Sequence, residues 1–350
     1  MRSALCGALF CALAAPAAAQ DRAVTFEEPQ PVTISGFAVG QAGFDRLLRD
    51  NSFSAGKLGV SFFKPVGDTY LFAQLTTALE DGEAHTEIDN LLVSWTPQSA
   101  NRWTFGFGKF DAPIGFERDD EPLNLIATNS FNFDFARPGK LVGAQVHYTA
   151  GPRVDVWAVA ANGWDVDVDN NRGKTGMLRV QFLPSRWITI GVTGVYGPER
   201  DSTDAHQRSL ASIDATLQHG RLILGAELNA GREQDPVQAP TWRGGAVTGF
   251  VTVSSKLGIT ARVDQLEDPQ GAVTGTPQIL RSLTVGPMWF FSTAKEGVFS
   301  NVEHTSFHIP QIAIRGALRV DRSTQPFFPD VGGGLQRSDT KGVVELVYVF

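Results

Sequence analysis

Arg221-Leu222-Ile223-Leu224-Gly225-Ala226-Glu227-Leu228-Asn229-Ala230 is the stretch that decides the fold. Leu222, Leu224, Ala226, Leu228 and Ala230 fall on one face of an extended chain. Arg221, Gly225, Glu227 and Asn229 fall on the other, with Ile223 as the exception. Successive side chains of a strand point to opposite sides, so period two marks a strand with one apolar and one polar face. The pattern recurs at 258–266, where Ile259, Ala261 and Val263 oppose Thr260, Arg262 and Asp264. It recurs again at 311–320, where Ile312, Ile314, Leu318 and Val320 oppose Arg315 and Arg319.

Strands of this kind are predicted at 32–41, 55–64, 69–79, 85–96, 101–110, 139–149, 152–161, 174–183, 186–196, 207–218, 220–230, 243–254, 257–266, 278–291, 310–322 and 340–350. Each is about ten residues, the length a tilted strand needs to cross a bilayer. The connections alternate. Tight, turn-rich ones lie at 65–67, 97–101, 150–151, 184–185, 219–220 and 254–256. Long, polar, acidic ones lie at 42–54, 80–84, 111–138, 162–173, 197–206, 231–242, 267–277 and 323–339. The segment 292–309 breaks the rule, being long where a tight turn is due. Short turns on one rim and long loops on the other describe an all-β, antiparallel, up-and-down transmembrane barrel of about sixteen strands. In lipid, period two is compatible only with a closed barrel, because every backbone donor and acceptor must be paired within the protein.

The rest of the chain agrees. Arg2 followed by an apolar run from Ala4 to Ala15 and by Ala17, Ala18 and Ala19 reads as a signal peptide over 1–19, leaving a barrel over 20–350. Both cysteines, Cys6 and Cys11, fall in that peptide, so the mature chain would hold no disulfide, thiolate nucleophile or Cys-ligated zinc. No later apolar run is long enough for a spanning helix. The net charge of −7 argues against a nucleic-acid partner. Trp95, Trp103, Tyr148, Trp187, Tyr196, Trp242, Trp289 and Tyr348 sit near strand ends, where interfacial aromatic girdles belong. Leu346, Tyr348 and Phe350 share a face of the last strand, and Tyr348 with Phe350 resembles the C-terminal assembly signal read by the barrel-assembly machinery of Gram-negative bacteria.

The run Gly108-Lys109-Phe110-Asp111-Ala112-Pro113-Ile114-Gly115-Phe116-Glu117, followed by Asn129-Ser130, Arg137-Pro138, Gly143 and Tyr148, resembles the OmpL-like β-barrel porin family. Gly286-Pro287 and Arg319-Val320-Asp321-Arg322 near the end are similar as well. The resemblance implies a passive outer-membrane channel for small polar solutes or ions. Phosphate-selective porins share the Gly-Lys-Phe type of run, so no particular solute is carried over. Outer-membrane lipid is the implied partner, and a homotrimer is compatible with it.

The expected pore residues lie in two groups. The loop 111–138 holds Asp111, Glu117, Asp119, Asp120, Glu121 and Asp134 beside the apolar Phe116, Leu123, Ile126, Phe131, Phe133 and Phe135. Those apolar side chains need burial, and the barrel interior is nearest, which makes this loop the expected constriction. Alternation points Arg153, Arg179, Arg221, Arg262, Arg315 and Arg319 inward, together with Asp155, Asp214, Glu227, Asp264 and Glu345. Arginines facing an acidic loop would set up a transverse field across the pore; alternatively they pair with wall carboxylates and stiffen the sheet. Asp165, Asp167 and Asp169 have a calcium-like spacing, but Asn170 and Gly176 stand where an EF-hand needs Gly and Glu, so neither metal nor cofactor is expected. No Gly-x-Ser-x-Gly elbow is present, and of the six histidines only His147 falls mid-barrel, so an enzyme is not expected. A non-conducting structural or adhesive barrel is the alternative reading.

Overall fold

The computed structural model describes residues 30–80, 83–234, 239–293 and 310–350. The expected signal peptide with its cysteines, and most of the 292–309 insertion, lie outside the described residues.

The strands are β1 (Thr33–Asp45), β2 (Asp50–Val66), β3 (Thr69–Glu80), β4 (Glu83–Trp95), β5 (Trp103–Asp111), β6 (Lys140–Gly151), β7 (Val154–Ala161) and β8 (Thr175–Ser185). They continue as β9 (Ile188–Pro198), β10 (Gln207–His219), β11 (Leu222–Glu233), β12 (Thr241–Ser254), β13 (Leu257–Asp268), β14 (Gln278–Thr293), β15 (Pro310–Ser323) and β16 (Ser338–Val349). Each pairs antiparallel with its sequence neighbours, and β1 pairs with β16, closing a sixteen-stranded barrel. All sixteen expected segments are strands.

The alternation is expressed as expected. Leu228, Val263 and Leu318 are exposed on the outer wall, while Glu227, Arg262 and Arg319 are buried inside. Exposed apolar residues on this outer face are what a lipid-facing wall requires. Trp95, Trp103, Trp187, Trp289, Tyr348 and Phe350 are exposed, and all lie close to the rim of tight turns. Trp103 stacks on Tyr148 with ring centroids 4.2 Å apart.

Three expectations are corrected. The connections expected at 42–54 and 80–84 are short, because the flanking strands run on to Asp45 and Asp50, and to Glu80 and Glu83. Trp242 is not a girdle residue. It points inward, 1% exposed, over Gly231, where a Cβ would lie 2.0 Å from its ring. Arg153 and Arg221 occupy two-residue turns and are exposed, because each strand begins two residues later than expected, at Val154 and Leu222.

The seam relies on one close approach. Gly36 and Phe350 exchange backbone hydrogen bonds of 3.0 and 2.9 Å. A Cβ on Gly36 would lie 2.3 Å from the Gly59 carbonyl oxygen and 2.6 Å from the Phe350 ring. Gly40, four residues on, has nothing within 4 Å. Gly36→Ala is therefore expected to destabilise the closed barrel by about 1–3 kcal/mol, the usual range for overpacking, and Gly40→Ala to leave it unchanged. Heat-modifiable gel mobility reads the difference, and equal resistance of the two variants would count against a packed seam.

Candidate functional site

The longest loop leaves β5 after Asp111 and rejoins the sheet at Lys140. Between them it crosses to the inner faces of β11–β15. Gly115 turns the chain at φ +77°, and a Cβ there would strike the Glu227 carboxylate. The Phe116 ring then lies against Gly225, and the Phe116 N–H donates to Glu227 Oε2 at 2.8 Å. Arg137, at the far end of the loop, meets Glu227 Oε1 at 2.8 Å, with both side chains 2% exposed. One carboxylate on β11 thus ties both ends of the excursion. Arg137 Nη2 also donates to the Glu117 carbonyl at 2.7 Å.

The tip of the loop is a short helix, α1 (Phe131–Ala136), capped by Ser130, whose hydroxyl accepts from the Phe133 N–H at 3.0 Å. Asp264 on β13 accepts from the Phe131 N–H at 2.9 Å. Asn132 packs against Gly244 and accepts from Asn229 Nδ2 at 3.1 Å. Trp242 Nε1 donates to the Ala136 carbonyl at 3.0 Å. Phe131, Ala136, Trp242, Leu266, Leu280 and Phe328 form an apolar cluster around the helix. A second cluster, on the inward faces of β4 to β10, receives Ala112 and Ile114 from the start of the loop.

Three arginines hold the loop backbone. Arg262 meets Glu117 Oε1 at 2.6 Å and donates to the carbonyls of Thr128 and Asn129. Arg315 Nη1 donates to the Asn124 carbonyl at 2.8 Å while its Nε meets Glu345 at 2.5 Å. Arg319 donates to the Asn129 carbonyl, pairs with Asp321 at 2.7 Å and lies over the Phe131 ring. Fork-shaped guanidinium groups can bind a carboxylate and a carbonyl at once, which suits them to this task.

The other side of the loop carries the acids. Lys140 Nζ meets Asp89 at 2.9 Å, Asp119 at 3.1 Å and Asp111. Oxygens of these three aspartates lie within 4.8 Å of one another, a spacing open to a hard cation, but the Lys140 ammonium already sits among them. Asp120, 4% exposed, accepts from Gln74 Nε2 on β3 at 2.7 Å. Burial, and then the charges of Asp111 and Asp89, push the Asp120 carboxyl up to about 8. Burial also acts to raise Asp119, but Lys140 and Lys57 outweigh it and hold that carboxyl below the ordinary range. Burial, with Arg179 and Arg137 nearby, pulls Arg118 down to about 10.

The expected site residues thus separate. Asp111 and Asp119 gather at Lys140 and are partly exposed, while Asp120 is buried beside them. Glu117 is buried and engaged by Arg262. Asp134 is exposed in α1, and Glu121 lies in a short 3-10 turn. Arg179 pairs with Asp214 at 2.6 Å on the wall, away from the docked helix. The Asp-x-Asp-x-Asp carboxylates diverge: Asp165 caps the N–H groups of Gly139 and Lys140, Asp167 meets Lys109 and Asp169 meets Lys174. His147 meets Asp155 at 3.0 Å and stacks on Trp157. Sequence reading missed Arg137, Lys140, Gln74, Asn132 and Trp242 as loop anchors. The Arg137-Pro138 pair was visible as a motif, but its partner Glu227 lies ninety residues away in sequence, beyond any local pattern.

The sequence model of the family described as Putative beta-barrel porin-2, OmpL-like, matches residues 35–350. No curated protein matches the sequence. Among solved structures, the chain is similar to the outer membrane channel DcaP of Acinetobacter baumannii, at 11% identity and TM-score 0.63, covering 91% of this chain and 97% of that one. It is similar to an anion-selective porin from Comamonas acidovorans, at 10% identity and TM-score 0.63, covering 91% and 99%. A trimer form of in-vitro folded OmpT of Vibrio cholerae matches at 13% identity and TM-score 0.57, covering 91% and 99%. At these identities the likeness is one of fold.

Two outcomes follow from this geometry. Glu227→Gln strands the buried Arg137 guanidinium, and breaking a buried pair from one side costs about 3–5 kcal/mol. The loop of that variant should be cleaved by protease far faster than in the wild type, and equal protection would remove Glu227 as the anchor. Asp120 has its folded pKa raised, so its neutral form is the docked one. Its contribution is full below the ordinary carboxylate range and is lost as pH rises through about 8. Protease protection of the loop should fall across that window in the wild type and stay flat in Asp120→Asn.

Proposed function

The chain belongs to the OmpL-like family of β-barrel porins, and from that premise we propose that it is a passive diffusion channel of the outer membrane for small hydrophilic solutes or ions, narrowed by the loop that follows β5. The observation that carries this reading is a closed barrel with an apolar outer wall and a charged interior, whose longest loop is hydrogen-bonded to the inside of the sheet. Charge inside a membrane barrel is cheap only where water or a partner meets it. Asp111 and Asp119, partly exposed at Lys140, are the carboxylates within reach of solutes in this reading, and Arg262, Arg315 and Arg319 are the residues that keep the loop in place.

The reading is of a channel and not an enzyme. The ring of His147 is already engaged by Asp155 and Trp157. Outer-membrane lipid surrounds the barrel, the barrel-assembly machinery inserts it through a signal that includes Tyr348 and Phe350, and three copies associate as in the trimer form of the similar OmpT structure. One observation favours the non-conducting alternative: the loop reaches from Gln74 on β3 to Arg262 on β13 and so spans the lumen.

Planar-bilayer recording decides between the two. Purified protein is expected to give stepwise, ohmic conductance, and membranes that stay silent with folded protein present would establish the non-conducting barrel. Neutralising Asp111 and Asp119 together should shift the reversal potential in a salt gradient toward anions. An unchanged potential would place those carboxylates off the path.

A further inference from the structure

The docked loop leaves space on one side of the lumen. Its helix and arginine contacts all fall on β11–β15, and its near end is tied at β3 and β6. Along the wall formed by β16, β1, β2, β3 and β4 lie two adjoining cavities of about 630 and 270 Å³, which share Gln41 and Ser54. The larger is bordered by Lys57, Thr76, His85, Glu87 and Glu345. The smaller is bordered by Asp45, Asp50 and Lys341 on the wall, and by Ala127 and Thr128 at the edge of the loop. Neither touches Arg179, Arg262, Arg315 or Arg319.

The backbone contributes to this space. The β1–β2 register shifts between Val39 and Gln41, opposite Gly56 at φ +65°, where a Cβ would lie 2.3 Å from the Val39 carbonyl oxygen. A bulge of this kind bends the strand and re-aims its side chains.

The lining has a sign. Glu345 is neutralised by Arg315 at 2.5 Å. Lys341 is held by Asp45 at 3.2 Å and Asp339 at 3.4 Å. Glu87 accepts only a long hydrogen bond of 3.5 Å from Thr76 among the bonds described, and Asp50 one of 3.0 Å from Ser52. Acids therefore outnumber lysines along the two cavities, whereas the arginines are consumed in holding the loop.

We propose that solutes cross the barrel off its axis, between the loop edge at Ala127 and Thr128 and the wall of β16 and β1–β4, and that Glu87 and Asp50, set against Lys57, give this passage a preference for small cations. The inference rests on the porin reading and refines it: beside Asp111 and Asp119, further selectivity residues are on the first four strands and not on the arginine wall.

Thiol scanning in planar bilayers tests it. The only cysteines of the chain are Cys6 and Cys11, so in a full-length background with both changed to Ser an introduced cysteine is the sole thiol. Ser54→Cys and Glu87→Cys sit on the cavities, and Leu75→Cys on the outer face of β3 serves as control. A bulky methanethiosulfonate is expected to reduce conductance roughly by half or more at the first two positions, since pore lining sets throughput, and to leave Leu75→Cys unchanged. Conducting channels whose current is unaffected after complete modification at Ser54→Cys and Glu87→Cys, verified by mass spectrometry, would overturn the passage while sparing the porin reading. A wild type that never conducts would overturn both. Glu87→Lys should move the reversal potential toward anions, and an unchanged potential would refute its role in selectivity.

Discussion

The constraint on which the structure depends is that a backbone N–H or C=O facing hydrocarbon has no water to turn to. Sixteen strands meet it only because β1 finds β16 and leaves no free edge. Closure then dictates the residue pattern. Each strand shows one face to lipid, where Leu, Val and Ile are stable, and one to the interior, where polar groups can be satisfied. It also fixes where charge can go: among the described residues, the buried charges lie on the inward faces of the strands or, as with Glu117, Asp120 and Arg137, on the loop inside them.

A chain segment placed inside such a barrel meets the same problem a second time. The loop after β5 has little regular structure, so its carbonyls and N–H groups need partners from the wall. Arg262, Arg315 and Arg319 supply the donors, and Glu227 and Asp264 supply the acceptors. Burying these charges would be prohibitive singly, but each guanidinium is matched by a carboxylate as well as by a carbonyl. Of the arginines expected to face the loop across water, Arg262, Arg315 and Arg319 instead touch it, which turns a source of field into a set of clamps.

This difference shows what the sequence could carry. Period two survives any arrangement of loops, so the strands and their number were legible from residues such as those between Leu222 and Ala230. The apolar anchors Phe116 and Phe131 correctly indicated a loop that seeks burial. Partner identity was not legible. Glu117 looks like its acidic neighbours in sequence, and only the approach of Arg262 from β13 distinguishes it. Alternation also fails at strand ends, where one residue decides between wall and turn, as Arg153 and Arg221 demonstrate. Trp242 escaped for a related reason: an aromatic near a strand end reads as a girdle residue unless the glycine beneath it, Gly231, is known to be its neighbour.

Fastening and filtering therefore make opposite demands on the interior. A clamp works best when desolvated, because low dielectric strengthens its pairs. A filter works only where water and solute can reach the charge. Under the proposed off-axis passage the two tasks fall on different strands: β11–β15 hold the loop, while β1–β4 keep side chains beside open volume. A single loop position satisfies both, since each contact that draws the loop toward β13 withdraws it from β2. On the proposed passage, the strength of the clamp would then set the width on the other side, and residues that no solute touches would govern how large a solute can pass.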